Sequence, residues 1–128
     1  MTAGEAAVES ARQRVKTALR VAYYETLAAE ERLTVATRLS TVGHEMLAVS
    51  RQLFNVGIAD RPDVLAAEAE AATLDAWLSA ARAARVGAWR RLAAAAGELA
   101  LTPQPLAERL TDALAPIDAA AERARILD

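Results

Sequence analysis

Two apolar stripes of matched period, separated by a single glycine, constrain this chain more than anything else in it. Before the glycine run Val35, Leu39, Val42, Met46, Val49, Leu53 and Val56, in alternating steps of four and three. After it run Val64, Ala67, Ala71, Leu74, Leu78, Ala81, Arg85, Ala88, Leu92, Ala95 and Leu99, again in threes and fours. Such spacing lines each set along one face of an α-helix and suits helices packed side by side. Between the stripes, "LFNVGIADRPDV" (residues 53–64) supplies a stop and a start. Gly57 fits the left-handed position that ends a helix, which glycine adopts at little cost. Asp60 and Asp63, three residues apart, make an acidic version of the capping box. Pro62 falls in the first turn of the next helix, where a missing N–H costs nothing.

The chain is therefore predicted to be all-α, a long antiparallel coiled hairpin. One helix is expected over about residues 5–56, a turn at 57–60 and a returning helix over about 61–96. In the register this suggests, Val56 faces Val64, Met46 faces Leu74 and Leu39 faces Ala81, so that large residues mostly meet small ones. Arg85 is the polar intruder in its stripe and is expected to snorkel outward or to pair with Glu31. Towards the N-terminus the first stripe weakens, and Val8, Ala11, Val15, Ala18 and Ala22 take over. A lone hairpin buries one face of each helix only. Tyr23, Tyr24, Trp77 and Trp89 then need further partners, supplied in part by the C-terminal segment and otherwise by self-association. The hairpin unit (residues 1–97) is followed by a linker at 98–105, where Pro103 and Pro105 disfavour helix, and by short C-terminal helices over 106–128.

Composition narrows the function classes. Of the residues, 54% are hydrophobic, yet only 4% are aromatic. An alanine-rich core of this kind requires close helix approach. Fifteen basic and 17 acidic side chains are interspersed, for a net charge of -2, so no basic stripe for nucleic acid stands out. Cysteine is absent, which excludes disulfides and thiolate metal sites. No uninterrupted apolar run of about 18 residues predicts a transmembrane helix. "MTAGEAAVESARQR" lacks the pattern of a signal peptide, so an export signal is expected to lie outside this chain.

Catalytic chemistry finds no support. His44 is expected on the solvated side of its helix, with only adjacent Glu45 as an acidic neighbour. The pairs Glu30/Glu31 and Glu68/Glu70 read as solvated helix faces. Ser10, Ser40, Ser50 and Ser79 have no evident base, and no glycine-rich phosphate loop is present. No catalytic residue, cofactor or metal site is assigned.

Several segments resemble the TolC-like outer membrane efflux protein family. "VKTALRVAYYETLAAEERL" (15–33) is similar to the segment where the long helix of that family leaves the membrane end. "LFNVG" and "DVLAAEAE" (63–70) resemble its periplasmic turn and returning helix, and "WRRLAAAAG" (89–97) resembles the close of that helix. The likeness covers about residues 8–97, and the spacing from Gly57 to Asp63-Val64 is its most specific element. It implies a periplasmic hairpin of a trimeric tunnel, whose turn meets a periplasmic adaptor (membrane fusion) protein and, through it, an inner-membrane pump. The implied contact residues are Leu53, Phe54, Gly57, Ile58, Asp60, Asp63 and Val64, with Asp60 where the family often has serine or threonine. A full member carries two such repeats and barrel strands, so this chain is expected to be a helical fragment with "MTAG" as an artificial start. Self-association is expected, with a dimer as one form. The competing reading is an amphipathic helical protein that binds lipid or granule surfaces. That class calls for wide apolar faces with a basic border, whereas these stripes are narrow and the net charge is negative.

Overall fold

The computed structural model describes residues 2–107. It consists of two helices and no strand among those residues: α1, Ala3–Asn55, and α2, Arg61–Ala96. At 1.5 Å per residue, α1 is about 80 Å long and α2 about 54 Å. The short C-terminal helices expected over 106–128 lie almost wholly outside the described residues.

α1 begins with a complete capping box. The Thr2 hydroxyl accepts from the Glu5 backbone N–H, while the Glu5 carboxylate accepts from the Thr2 N–H at 2.7 Å. Both helices end at a glycine in the left-handed region, Gly57 at φ 76° and Gly97 at φ 71°. In each case the next N–H reaches back into the last turn, from Ile58 to the Leu53 carbonyl (2.9 Å) and from Glu98 to the Ala93 carbonyl (3.0 Å). This is the Schellman arrangement, which satisfies carbonyls the helix leaves unpaired.

α2 uses the face its sequence predicts. Val64, Ala71, Leu74, Leu78, Ala88 and Leu92 are buried, and Ala67, Ala81, Arg85 and Ala95 are half-buried along the same line. Leu99 lies beyond the helix and is exposed.

α1 does not use its predicted face. Val35, Leu39, Val42, Met46, Val49, Leu53 and Val56 are all exposed, Met46 at 62%. The buried line is Ala22, Thr26, Ala29, Ala36, Ser40, Gly43 and Leu47, with Leu33 half-buried. It too advances in fours and threes, but is built almost entirely of small residues. Steric fit explains the choice. The large side chains of α2, Leu74, Leu78, Trp89 and Leu92, need small positions opposite if the backbones are to approach. At Gly43 the approach is close: a Cβ there would come within 2.6 Å of Leu74 Cδ1 and 3.5 Å of Ala71 Cα. The predicted pairing of Met46 with Leu74 is thus replaced by Gly43 with Leu74.

Polar groups along this line are satisfied. Thr26 is fully buried, and its hydroxyl donates to the Ala22 carbonyl at 2.8 Å and across the hairpin to the Ala88 carbonyl at 3.3 Å. Among the described residues no buried side-chain N or O lacks a partner. Arg85 donates from Nε to Glu30 Oε1 at 2.6 Å, and Trp89 Nε1 donates to the same oxygen at 2.7 Å. Exposed pairs, Arg51 with Glu68 (3.0 Å) and Arg91 with Glu25 (3.2 Å), flank the seam and contribute little each.

The wide end of the hairpin is closed by Ala22, Trp89 and Leu92, with Tyr23, Ala95, Leu101 and Leu106 packed around them. Tyr23 meets Tyr24 edge to face, with centroids 5.8 Å apart. The two tryptophans separate in role: Trp89 is buried, while Trp77 is 59% exposed. Beyond this cluster α1 extends without a partner among the described residues, and every residue from 2 to 21 is exposed.

Candidate functional site

The tip of the hairpin is the most completely specified piece of surface. From α1, the Val56 N–H reaches the Gln52 carbonyl, the Gly57 N–H reaches that of Phe54, and the N–H groups of Ile58 and Ala59 share that of Leu53. From α2, Asp60 Oδ1 accepts from the Asp63 N–H at 3.0 Å, and Asp63 Oδ2 accepts from the Asp60 N–H at 3.1 Å. Both aspartates are exposed, and each is held in place by the backbone it caps. This locks the five-residue connection, residues 56–60, with hydrogen bonds from both sides.

On that rigid frame the apolar residues face outward. Ile58 is 74% exposed, and Leu53, Phe54 and Val56 are exposed beside it. Val64 is different: it is buried beneath the turn, where it joins the seam. Of the seven residues assigned to the tip from sequence, six therefore form its surface and Val64 supports it. The turn continues into a shallow groove of about 480 Å³ between the helices, lined by Val42, Met46, Val49, Leu53 and Ala59. A second groove of about 630 Å³ lies farther along the same stripe of α1, lined by Ala28, Val35, Leu39, Trp77, Ala81 and Ala84. The large residues that α1 does not turn inward thus form an apolar face along the rod.

One polar cluster is not legible in the sequence. Asp75 comes within 3.0 Å of His44 Nε2, and Ser40 donates its hydroxyl to Asp75 Oδ1 at 2.7 Å. Residues 31 and 35 positions apart meet only because the hairpin closes, so no local spacing announces them. The trio is not a nucleophile relay. There an imidazole bridges hydroxyl and carboxylate, whereas here the carboxylate is in the middle and Ser40 is buried. Among the described residues no group of three His, Cys, Asp or Glu side chains is placed to hold a metal ion.

The Ser40 hydrogen bond holds the Asp75 carboxyl below its ordinary value of 3.8, against the opposing effect of desolvation. The hydrogen bond and charge of His44 and the charge of Arg82 act in the same direction as Ser40. A carboxyl whose value is lowered by folding adds stability above its unfolded value and loses it as pH falls through its folded value. Asp75→Asn is therefore expected to be less stable than the parent at neutral pH. The gap should close as pH drops below 3.8 towards the folded value. Denaturant titrations over that range check this, and a gap that stays constant would mean the charge of Asp75 plays no part.

Compared with known proteins, the chain is matched by the family model described as "Outer membrane efflux protein" over residues 1–98. No curated protein and no solved structure matches it.

Proposed function

The chain belongs to the outer membrane efflux protein family, and from that we propose that its hairpin is a periplasmic segment of an efflux tunnel whose tip docks an adaptor protein. The family is one of channels rather than enzymes, which fits a rod with an interaction surface at its end. The observation that carries the docking is the outward set of Phe54 and Ile58 on a turn that both helices cap. A flexible loop would lose conformational entropy on ordering against a partner, and a preorganised tip avoids that cost. Exposed apolar side chains at a rod's end are otherwise unfavourable, so their position supports a partner that covers them. Leu53, Gly57, Asp60 and Asp63 complete the contact surface, with Val64 as its footing. The adaptor would link the tunnel to an inner-membrane pump.

A second contact surface is lateral. The face from Val35 to Leu53, with Trp77, is suited to neighbouring hairpins, in a trimer for the full-length family or a dimer for this chain. No described helix is long and apolar enough to cross a membrane, so a place for this segment in the water-filled periplasm is consistent with its surface.

A photo-crosslinking residue at Ile58, in cells that hold the adaptor, tests the docking. Crosslinks to the adaptor are expected there and should vanish when the probe is moved to Glu98, at the other end of α2. Equal yields at both positions, or strong flotation of the chain with liposomes through an opened hairpin, would count against it.

A further inference from the structure

We propose that two copies of this chain pair face to face and antiparallel about a two-fold axis, laying α1 on α1 and α2 on α2. The pairing rests on the reading of the lateral face as a contact between hairpins, and it adds the occupant, its direction and its partner residues. The large apolar residues of α1 from Val35 to Leu53, together with Trp77, are each between 38% and 62% exposed. They leave roughly 700 Å² of accessible surface per copy, close to the ~800 Å² per partner of a stable interface. On α1 this stripe runs for about 27 Å. It is also self-complementary. Set Leu39 beside Val42 of the second copy, and the same register puts Met46 beside Val35 and Leu53 beside Ala28, each contact occurring twice.

Charge selects the direction. Arg38 and Glu45 lie one heptad apart along the edge of the stripe that points away from α2, and both are exposed. Among the described residues neither enters an ion pair. In the antiparallel register Arg38 comes beside Glu45 of the second copy, and Glu45 beside its Arg38. A parallel two-fold dimer would instead lay α1 on α2. The matching edge of α2 carries Ala66, Thr73 and Ala80, with no charge to meet Arg38 or Glu45.

Trp77 fits the same axis. Asp75 bonds both Ser40 and His44, so it stands level with the middle of the α1 stripe, where the two-fold falls. Trp77 is two residues away, about 3 Å along the rod. It lines one groove with Val35 and Leu39, beside Ala80, Ala81 and Ala84. Antiparallel pairing brings it against Trp77 of the second copy, with alanines around the two rings to make room. The exposed indole thereby gains an aromatic partner.

Sedimentation equilibrium of the chain at about 0.1 mM is expected to find a dimer. Arg38→Glu alone and Glu45→Arg alone each set like charges together twice, and each is expected to weaken the dimer about tenfold or more. The exchanged double variant should return to within about threefold of the parent. Both positions are exposed, so circular dichroism should show the helices unchanged in all three variants. Orientation is read with cysteines, of which the chain has none of its own. Arg38→Cys mixed with Glu45→Cys is expected to crosslink through a short bismaleimide. Ile58→Cys alone is not, because the two tips lie at opposite ends of the dimer. Crosslinking of Ile58→Cys to itself would make the assembly parallel and overturn the proposal, while leaving the face as a contact between hairpins. A chain that stays monomeric would overturn both the proposal and the lateral contact. A dimer indifferent to the two single charge variants would overturn the proposal alone. None of these outcomes bears on crosslinks between the tip and an adaptor.

Discussion

Trp89→Ala is expected to destabilise the hairpin by about 3–5 kcal/mol, the range for removing a large buried aromatic. Trp89 is 3% exposed and sits between Ala22 and Leu92 at the wide end. Its ring fills space that α1 and α2 cannot close by shifting, because Thr26 already ties the helices together at Ala88. The substitution also removes the indole N–H that donates to Glu30. Glu30 keeps Arg85, so the loss is mainly one of packing, not a stranded charge. Trp77→Ala is the matched comparison. That ring is mostly solvent-exposed, and in the dilute isolated chain its loss should fall within about 0.5 kcal/mol. Urea unfolding tracked by far-ultraviolet circular dichroism reads both. Equal costs would show that the two tryptophans do not differ in burial and that the wide end is packed in another way.

Gly43→Leu should cost about 1–3 kcal/mol or more, the penalty for forcing extra methylenes into a packed seam. The direction is opposite to what helix propensity alone dictates, since leucine is the better helix former by close to 1 kcal/mol. Sterics win because the new side chain would start 2.6 Å from Leu74 Cδ1 and face the Ala71 backbone. Leu74 could swing aside to admit a single methyl, so Gly43→Ala is expected to stay within about 1 kcal/mol of the parent. Gly87 is the control. It too lies inside a helix, but an added Cβ there meets only an Arg91 guanidinium nitrogen at 3.4 Å. Gly87→Ala should therefore stabilise by about 0.5–1 kcal/mol. If Gly43→Leu proved neutral, the helices could not approach each other at that residue.

These two sites also show what the sequence could and could not disclose. The turn was legible because its chemistry is local: Gly57, Asp60, Pro62 and Asp63 each act on backbone within a few residues. The buried face of α2 was legible because it is the line richest in leucine on that helix. The buried face of α1 was not. Apolar periodicity ranks large residues first, and on α1 those line the outer face. The inner line carries Thr26, Ser40 and Gly43, which read as breaks in a hydrophobic stripe. They are inside because α2 supplies the bulk, and because each hydroxyl finds a partner. Which of two equally periodic faces turns inward is settled by the partner helix, and one helix considered alone does not contain that information. Asp75 was missed for the same reason, since both its neighbours come from the other helix.

At the tip, the cap residues were readable from spacing, whereas the exposure of Phe54 and Ile58 depended on how the turn folds over Val64. The docking residues themselves came from family resemblance.

The lateral face and the tip both depend on the small-residue face of α1 being the inside of the hairpin, since that choice leaves the large residues for neighbours. A pair of cysteines reads it directly. A Cβ on Gly43 would lie 3.7 Å from Leu74 Cβ, inside the range of about 3.5–4.5 Å that a relaxed disulfide needs. Gly43→Cys with Leu74→Cys is expected to oxidise readily to an intramolecular disulfide, while Met46→Cys with Leu74→Cys stays reduced under the same conditions. Bridging of the Met46 pair with the Gly43 pair left reduced would contradict this packing.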